Sequence, residues 1–244
     1  MKAIQIVITI ALLLTAGPFP LPAEEEAAGE SPSEIVELIK DLDASDPAER
    51  LRARALLADM GQEAGPAMLA ALETAEEEKA VGLIEVLSFI RYREAAPAVE
   101  KIWRESDSLP LKLRAAEALC RFDHNYNRYQ GYILSRVRSG DEEDRLLAMQ
   151  SLGYIGDRRV VEPLVGIFYD QSQPDRVRQA AVWDLAHTPV RESAEALVGM
   201  VNDPEIDWFF KEIIIAALQR LAGQGDMAPV VSELLEEAQR FPGR

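Results

Sequence analysis

Apolar residues in this chain recur at helical spacing, in blocks separated by turn-forming residues. Ile35, Leu38, Ile39 and Leu42 stand at i, i+3, i+4 and i+7, one face of a helix. Ser31-Pro32-Ser33-Glu34 opens that block with a serine cap, a proline at the first helical position and a glutamate at the third. The same start signal returns at Asp46-Pro47-Ala48-Glu49, and Gly61 closes the next helix. From there the pattern predicts helix pairs: about 46–60 with 64–73, 76–91 with 94–105, 110–122 with 126–138, 142–155 with 159–170, 174–187 with 191–201, and 204–222 with 227–240. No stretch alternates apolar and polar residues between turn signals, so no strand is expected.

The blocks are copies of one unit. Leu57, Leu87, Leu119, Leu152, Leu185 and Leu218 are separated by 30, 32, 33, 33 and 33 residues. Seven positions before them stand Arg50, Ala80, Lys112, Arg145, Arg178 and Lys211, basic in all but one case. One position after them stand Ala58, Ser88, Cys120, Gly153, Ala186 and Gln219, small in all but the last. The second helices have a proline near their first turn at Pro66, Pro97, Pro163 and Pro229. Self-similarity at this period means stacked supersecondary units, each completing its core against its neighbours. The small column predicts a close helix–helix approach, which assigns Cys120 to packing. The basic column predicts ties between repeats, with Asp46, Asp141, Asp175 and Asp203 near the turns as candidate partners.

Arg145-Leu-Leu-Ala-Met-Gln-Ser-Leu152-Gly153-Tyr-Ile-Gly156-Asp157, followed by Val161-Glu-Pro163-Leu164-Val165, resembles a HEAT repeat of the short bacterial type found in phycobilisome lyases. Lys112 to Leu119 and Arg178 to Leu185 match its first half. The resemblance covers about residues 46–240. It implies an all-α fold, a right-handed α-α superhelix of the armadillo/HEAT type with about six helical-hairpin repeats. The chain departs from the pattern in repeat two, with Ala80 for the basic residue and Arg91 for glycine. It departs again in repeat three, with Asp123 for glycine and Gln130 for proline.

The ends differ in composition. Lys2 precedes an apolar run, Ala3 to Ala16, and Gly17-Pro18-Phe19-Pro20-Leu21-Pro22-Ala23 breaks any helix. The run is shorter than the roughly 20 residues of a bilayer span. Residues 1–23 therefore read as a secretory signal peptide cleaved after Ala23, with Ala16 as the other site, and no membrane insertion is expected after cleavage. Residues 24–30 form an acidic linker, 31–45 a capping helix, 46–241 the solenoid and 242–244 a tail. The expected location is periplasmic or extracellular.

At 48% hydrophobic residues the chain is too apolar to be disordered. Its formal net charge of −16 becomes −17 when Lys2 leaves with the signal, because residues 1–23 hold no acid. That charge argues against nucleic acid and anionic membranes, and favours solubility and cationic partners. The single cysteine excludes an internal disulfide.

Catalytic signatures are missing. His124 precedes Asn125 and His187 precedes Thr188, so neither forms the His-Glu pairs of the HEAT-repeat deoxyhypusine hydroxylases. The sequence has no cysteine cluster, zinc-protease motif, nucleophile elbow or phosphate loop. No catalytic residue, metal or cofactor is assigned. The expected function is protein–protein interaction through a curved inner surface lined by the second helices. The competing reading is an enzyme or enzyme subunit resembling the phycobilin-lyase HEAT group.

Partner-binding candidates are aromatic, since rings with polar handles anchor interfaces. Tyr126, Tyr129 and Tyr132 share a helix face in repeat three. Trp103 and Tyr169 each lie six residues after a column proline. Trp208 falls outside the apolar face expected for its helix, which is Ile206, Phe209, Phe210, Ile213, Ile214 and Ala217. The alternative for the repeat-three tyrosines is packing, filling the space where Gln130 and Gly131 replace Pro-Leu.

Overall fold

The computed structural model describes residues 32–138 and 140–240, and every described element is helical. The proposed signal segment, the acidic linker and the tail at 242–244 lie outside the described residues. The helices are α1 (Pro32–Asp41), α2 (Pro47–Asp59), α3 (Gly65–Leu72), α4 (Glu77–Phe89), α5 (Ala96–Glu105), α6 (Leu109–Arg121), α7 (Tyr126–Val137), α8 (Glu142–Ile155), α9 (Val161–Tyr169), α10 (Asp175–Ala186), α11 (Arg191–Asn202), α12 (Trp208–Ala222) and α13 (Met227–Arg240). Short 3₁₀ turns at Gly61–Ala64, Arg93–Ala95 and Arg158–Val160 lead into α3, α5 and α9. The chain divides into two compact units after Arg136, in the last turn of α7.

In each unit the first helices of successive hairpins pack side by side. In the N-terminal unit α2 lies on α4 and α4 on α6. In the C-terminal unit α8 lies on α10 and α10 on α12, while the second helices α9, α11 and α13 form the other layer. All six recurring leucines are completely buried within these stacks. Each is the residue that both helix layers close over, which is why its period is the period of the fold. Burying such a side chain contributes about 1.5–3 kcal/mol.

Caps written in the sequence set the helix starts. The carboxylates of Asp46, Asp141 and Asp207 accept from the backbone N–H groups of Ala48, Asp144 and Phe210, at 2.8, 2.9 and 3.0 Å. Asp46 and Asp141 thus cap helices instead of pairing with the basic column. The Asp207 cap starts α12 at Trp208, whereas the sequence pattern predicts a start at about residue 204. Phe210, Ile214, Ala217, Leu218 and Leu221 face the core, whereas Phe209 is 54% exposed. The expected burial of Phe209 is therefore corrected.

The two repeats without glycine keep the glycine conformation. Arg91 has φ 54° and Asp123 has φ 60°, matching Gly61 at 62° and Gly156 at 67°. At both sites the chain doubles back to bond to the end of its own helix. Arg91 and Tyr92 donate to the carbonyls of Ser88 and Leu87, and Asp123 and His124 donate to those of Cys120 and Leu119. The recurring leucine thus also supplies the carbonyl that closes its helix in repeats two and three. Holding a side chain in this left-handed region costs about 1 kcal/mol relative to glycine.

The basic column does tie elements together. Arg50 donates to the carbonyl of Ala44 at 2.6 Å, and Arg178 donates to that of Phe168 at 2.8 Å. Arg178 thereby places its charge at the C-terminal end of α9, where the helix dipole favours a cation. Arg145 donates instead to the Gln173 side chain in the next turn of the chain, at 3.3 Å. The small column also behaves as expected. Cys120 is fully buried, and a side chain at Gly153 would collide with the carboxylate of Asp184.

Candidate partner-binding surface

The six aromatic candidates separate into two groups with opposite environments. In the N-terminal unit, Trp103 on α5 meets Tyr129 and Tyr132 on α7. The ring centroids are 5.1 and 5.4 Å apart and both pairs are edge-on, an arrangement that favours aromatic pairs. Arg128 lies over the Trp103 ring at 4.9 Å and over the Tyr129 ring at 5.4 Å. Its guanidinium reaches Glu100, which also contacts His124, each at 3.3 Å. Tyr129 is completely buried, and desolvation first of all pushes its hydroxyl up to about 12. Tyr126 is 7% exposed. Tyr126 and Tyr129 are therefore packing residues and not surface anchors, although they do not fill a gap at Gly131, which is exposed with nothing within 4 Å of where a side chain would stand. Trp103 and Tyr132 are half-buried members of the same cluster.

In the C-terminal unit the aromatic residues remain open. Tyr169 ends α9 at 42% exposure, and Trp208 and Phe209 begin α12 at 53% and 54%. They continue outward from a buried pair. Phe168 packs edge-on against both Tyr169 and Phe210, and Phe210 against Phe209, with centroids 5.1–5.5 Å apart. Between these rings lies a cleft of ≈ 130 Å³ lined by Phe168, Tyr169, Gln171, Arg178, Glu205, Ile206, Asp207 and Phe210. The guanidinium of Arg178 stacks on Phe210 at 4.3 Å and on Phe168 at 5.4 Å, and is paired with Asp175 at 3.2 Å.

Polar groups hold the exposed rings in place. The Tyr169 hydroxyl donates to Asp203 at 3.0 Å. Desolvation, and then Asp203, push that hydroxyl up to about 12. The Trp208 indole N–H donates to Glu212 at 2.8 Å, leaving the ring face open. The Asp203 carboxylate in turn accepts from the backbone of Glu205. Two features were beyond the sequence pattern: the exposure of Phe209, and Arg178 as part of the cleft wall. The first depends on which face of α12 its neighbours cover. The second depends on contacts between α9, α10 and α12, which no local pattern encodes.

Part of the chain is similar to a known repeat family. Residues 132–219 match the family model described as HEAT repeats. Solved structures with similarity include the complex of CpcE and CpcF of phycocyanin lyase from Nostoc sp. PCC7120, at 17% identity and TM-score 0.43, covering 89% of this chain and 99% of that one. An engineered protein matches at 18% identity and TM-score 0.35, covering 84% and 97%. A designed armadillo repeat protein in complex with the peptide (KR)4 matches at 15% identity and TM-score 0.37, covering 77% and 99%. Likeness at this level bears on no ligand or partner. No curated protein matches the chain.

Two buried acids on the first helices of the hairpins lie apart from this surface. Glu117 on α6 is 2% exposed and pairs with Arg114 at 2.5 Å. Arg114 also holds Glu85, which holds Arg54, so the N-terminal stack carries a ladder of charges. Desolvation still outweighs these cations and pushes the Glu117 carboxyl up to about 7. Asp184 on α10 has no such ladder. As a residue it is only partly buried, yet its Oδ2 is sealed from solvent without a hydrogen-bond partner. Desolvation pushes it up to about 8. Among the described residues, no group of three or more histidine, cysteine or acidic side chains is placed to hold a metal. No described helix is long and apolar enough to cross a membrane.

Proposed function

We propose that this protein is a non-catalytic HEAT-repeat scaffold that binds another protein through the C-terminal unit, at the cleft between Phe168 and Phe210 and its collar of Tyr169, Trp208 and Phe209. One observation carries the reading: three large aromatic side chains are exposed at the end of α9 and the start of α12, and Tyr169 and Phe209 are linked through the buried rings of Phe168 and Phe210. Water contact at such rings is unfavourable, and a partner that covers them recovers the loss. The hydrogen bonds to Asp203 and Glu212 restrain Tyr169 and Trp208 before binding, which lowers the entropy lost on association.

The protein acts after export, on the far side of the membrane. Support comes from the amino-terminal sequence, where one lysine, an apolar run and a proline-rich break lead to Ala23. The mature chain then begins at or near Glu24, and amino-terminal sequencing of the protein from its own cells checks this. An intact Met1 on a cytoplasmic protein overturns export and leaves the binding surface standing.

Site-specific photocrosslinking tests the surface. A crosslinker at position 208 or 209 captures the partner, whereas one at the exposed Leu51 of the N-terminal unit does not. Equal capture from all three positions overturns the assignment.

A further inference from the structure

We propose that the C-terminal aromatic surface takes a basic, apolar peptide segment, with an arginine or lysine side chain entering the cleft rim and its apolar neighbours covering Trp208 and Phe209. This rests on the docking surface proposed above and names the chemistry of its occupant.

Charge is the first ground. Residues 203–212 hold four acids, Asp203, Glu205, Asp207 and Glu212, against one base, Lys211. Two of these acids, Glu205 and Asp207, line the cleft, and both are exposed. The Glu205 side chain forms no ion pair or hydrogen bond among the described residues. Asp207 spends one oxygen on the cap of α12 and presents a full negative charge at the rim. The one cation in the wall, Arg178, is already held by Asp175, the Phe168 carbonyl and two ring faces. The rim therefore offers uncommitted negative charge beside uncommitted aromatic faces.

The second ground is the pairing of these two features. A cation with an aliphatic stem satisfies both at once, laying its methylenes on the rings and its charge near the carboxylates. The stacking of Arg178 on Phe210 and Phe168 is the same interaction made inside the chain. An acidic segment would meet the rim charge directly. A second copy of this chain would bring two molecules of net charge −16 together at their acidic rims, and an anionic lipid surface is repelled for the same reason.

The test is selection of peptides from a random display library on the purified protein, with the winners then measured on the Trp208→Ala/Phe209→Ala double variant. Both substituted residues are exposed, so the variant keeps its fold. The expected winners carry arginine or lysine beside aliphatic or aromatic residues. Trp208→Ala weakens the best of them by about two- to thirtyfold, Glu205→Lys weakens it by about fivefold or more, and added salt weakens it further. Winners that are neutral or acidic but still need Trp208 overturn this inference and leave the docking surface standing. Winners indifferent to both aromatics overturn the inference and the surface together. A concentration-dependent dimer abolished by Trp208→Ala makes a second copy the occupant and also overturns the inference.

Discussion

The cluster around Tyr129 and the collar around Trp208 are built from the same residue types and have opposite fates. In the N-terminal unit, tyrosine and tryptophan rings interlock edge to face, and Tyr129 is sealed completely. In the C-terminal unit a comparable chain of edge-to-face rings starts in the core at Phe168 and Phe210 and runs out into solvent. The difference lies in what covers each ring: Tyr129 on α7 lies against Trp103 of α5, whereas Trp208 and Phe209, in the first turn of α12, stay more than half exposed. An aromatic run in a repeat protein therefore marks a lapse in the repeat. It does not by itself say whether the lapse is filled from inside or from outside.

The sharpest way to break this contrast is truncation. Tyr129→Ala should destabilise the protein by about 3–5 kcal/mol, the range for removing a buried ring. Trp208→Ala should cost about 0.5 kcal/mol or less, as exposed substitutions do. Denaturant unfolding of both variants checks the pair, and similar losses would show that the two clusters are not different in kind.

The buried acids sharpen the same contrast between units. Asp184 is raised from 3.8 to about 8, so the folded protein keeps a proton that the unfolded chain releases. Its contribution to stability is complete below about pH 4 and is lost as pH rises to about 8. Glu117, raised from 4.5 to about 7, acts in the same direction over a narrower window. The melting temperature should therefore fall between pH 5 and pH 8. Asp184→Asn should flatten most of that slope, and Glu117→Gln a smaller part. A slope unchanged by Asp184→Asn would show that its carboxylate finds a partner.

A smaller effect is expected at the helix ends. Arg91→Gly and Asp123→Gly should each stabilise by up to about 1 kcal/mol, because only the side chain makes the left-handed conformation costly there. Gly156→Ala should destabilise by about the same amount. Thermal unfolding of the three variants compares repeats that have lost the glycine with one that has kept it.

Much of the fold was legible because it is repeated. The six leucines, the prolines of the second helices and the aspartate caps each carry local instructions, and the helix pairs result from them. The apolar run of α12 begins at Ile206 and so suggests too early a start, whereas the capping carboxylate of Asp207 decides where the first turn forms. Trp208 was legible as an outlier from the apolar face. Phe209 was not, because its exposure depends on which face of α12 the neighbouring helices cover. Tyr126 and Tyr129 share a face with Tyr132, and that pattern serves a buried seam as well as an exposed one.

The sequence by itself determined that the chain forms helical hairpins in series, where each helix starts or ends at a cap, and which columns hold the stack. These are local matters of backbone preference and of period, and they recur every 30 to 33 residues. Only the tertiary structure decided which aromatic rings are covered, that Arg178 stacks between Phe168 and Phe210, and that Asp184 is sealed without a partner against Gly153. Those outcomes depend on residues brought together from different helices, and solvent exposure is a property of the neighbours a side chain meets and not of the side chain itself.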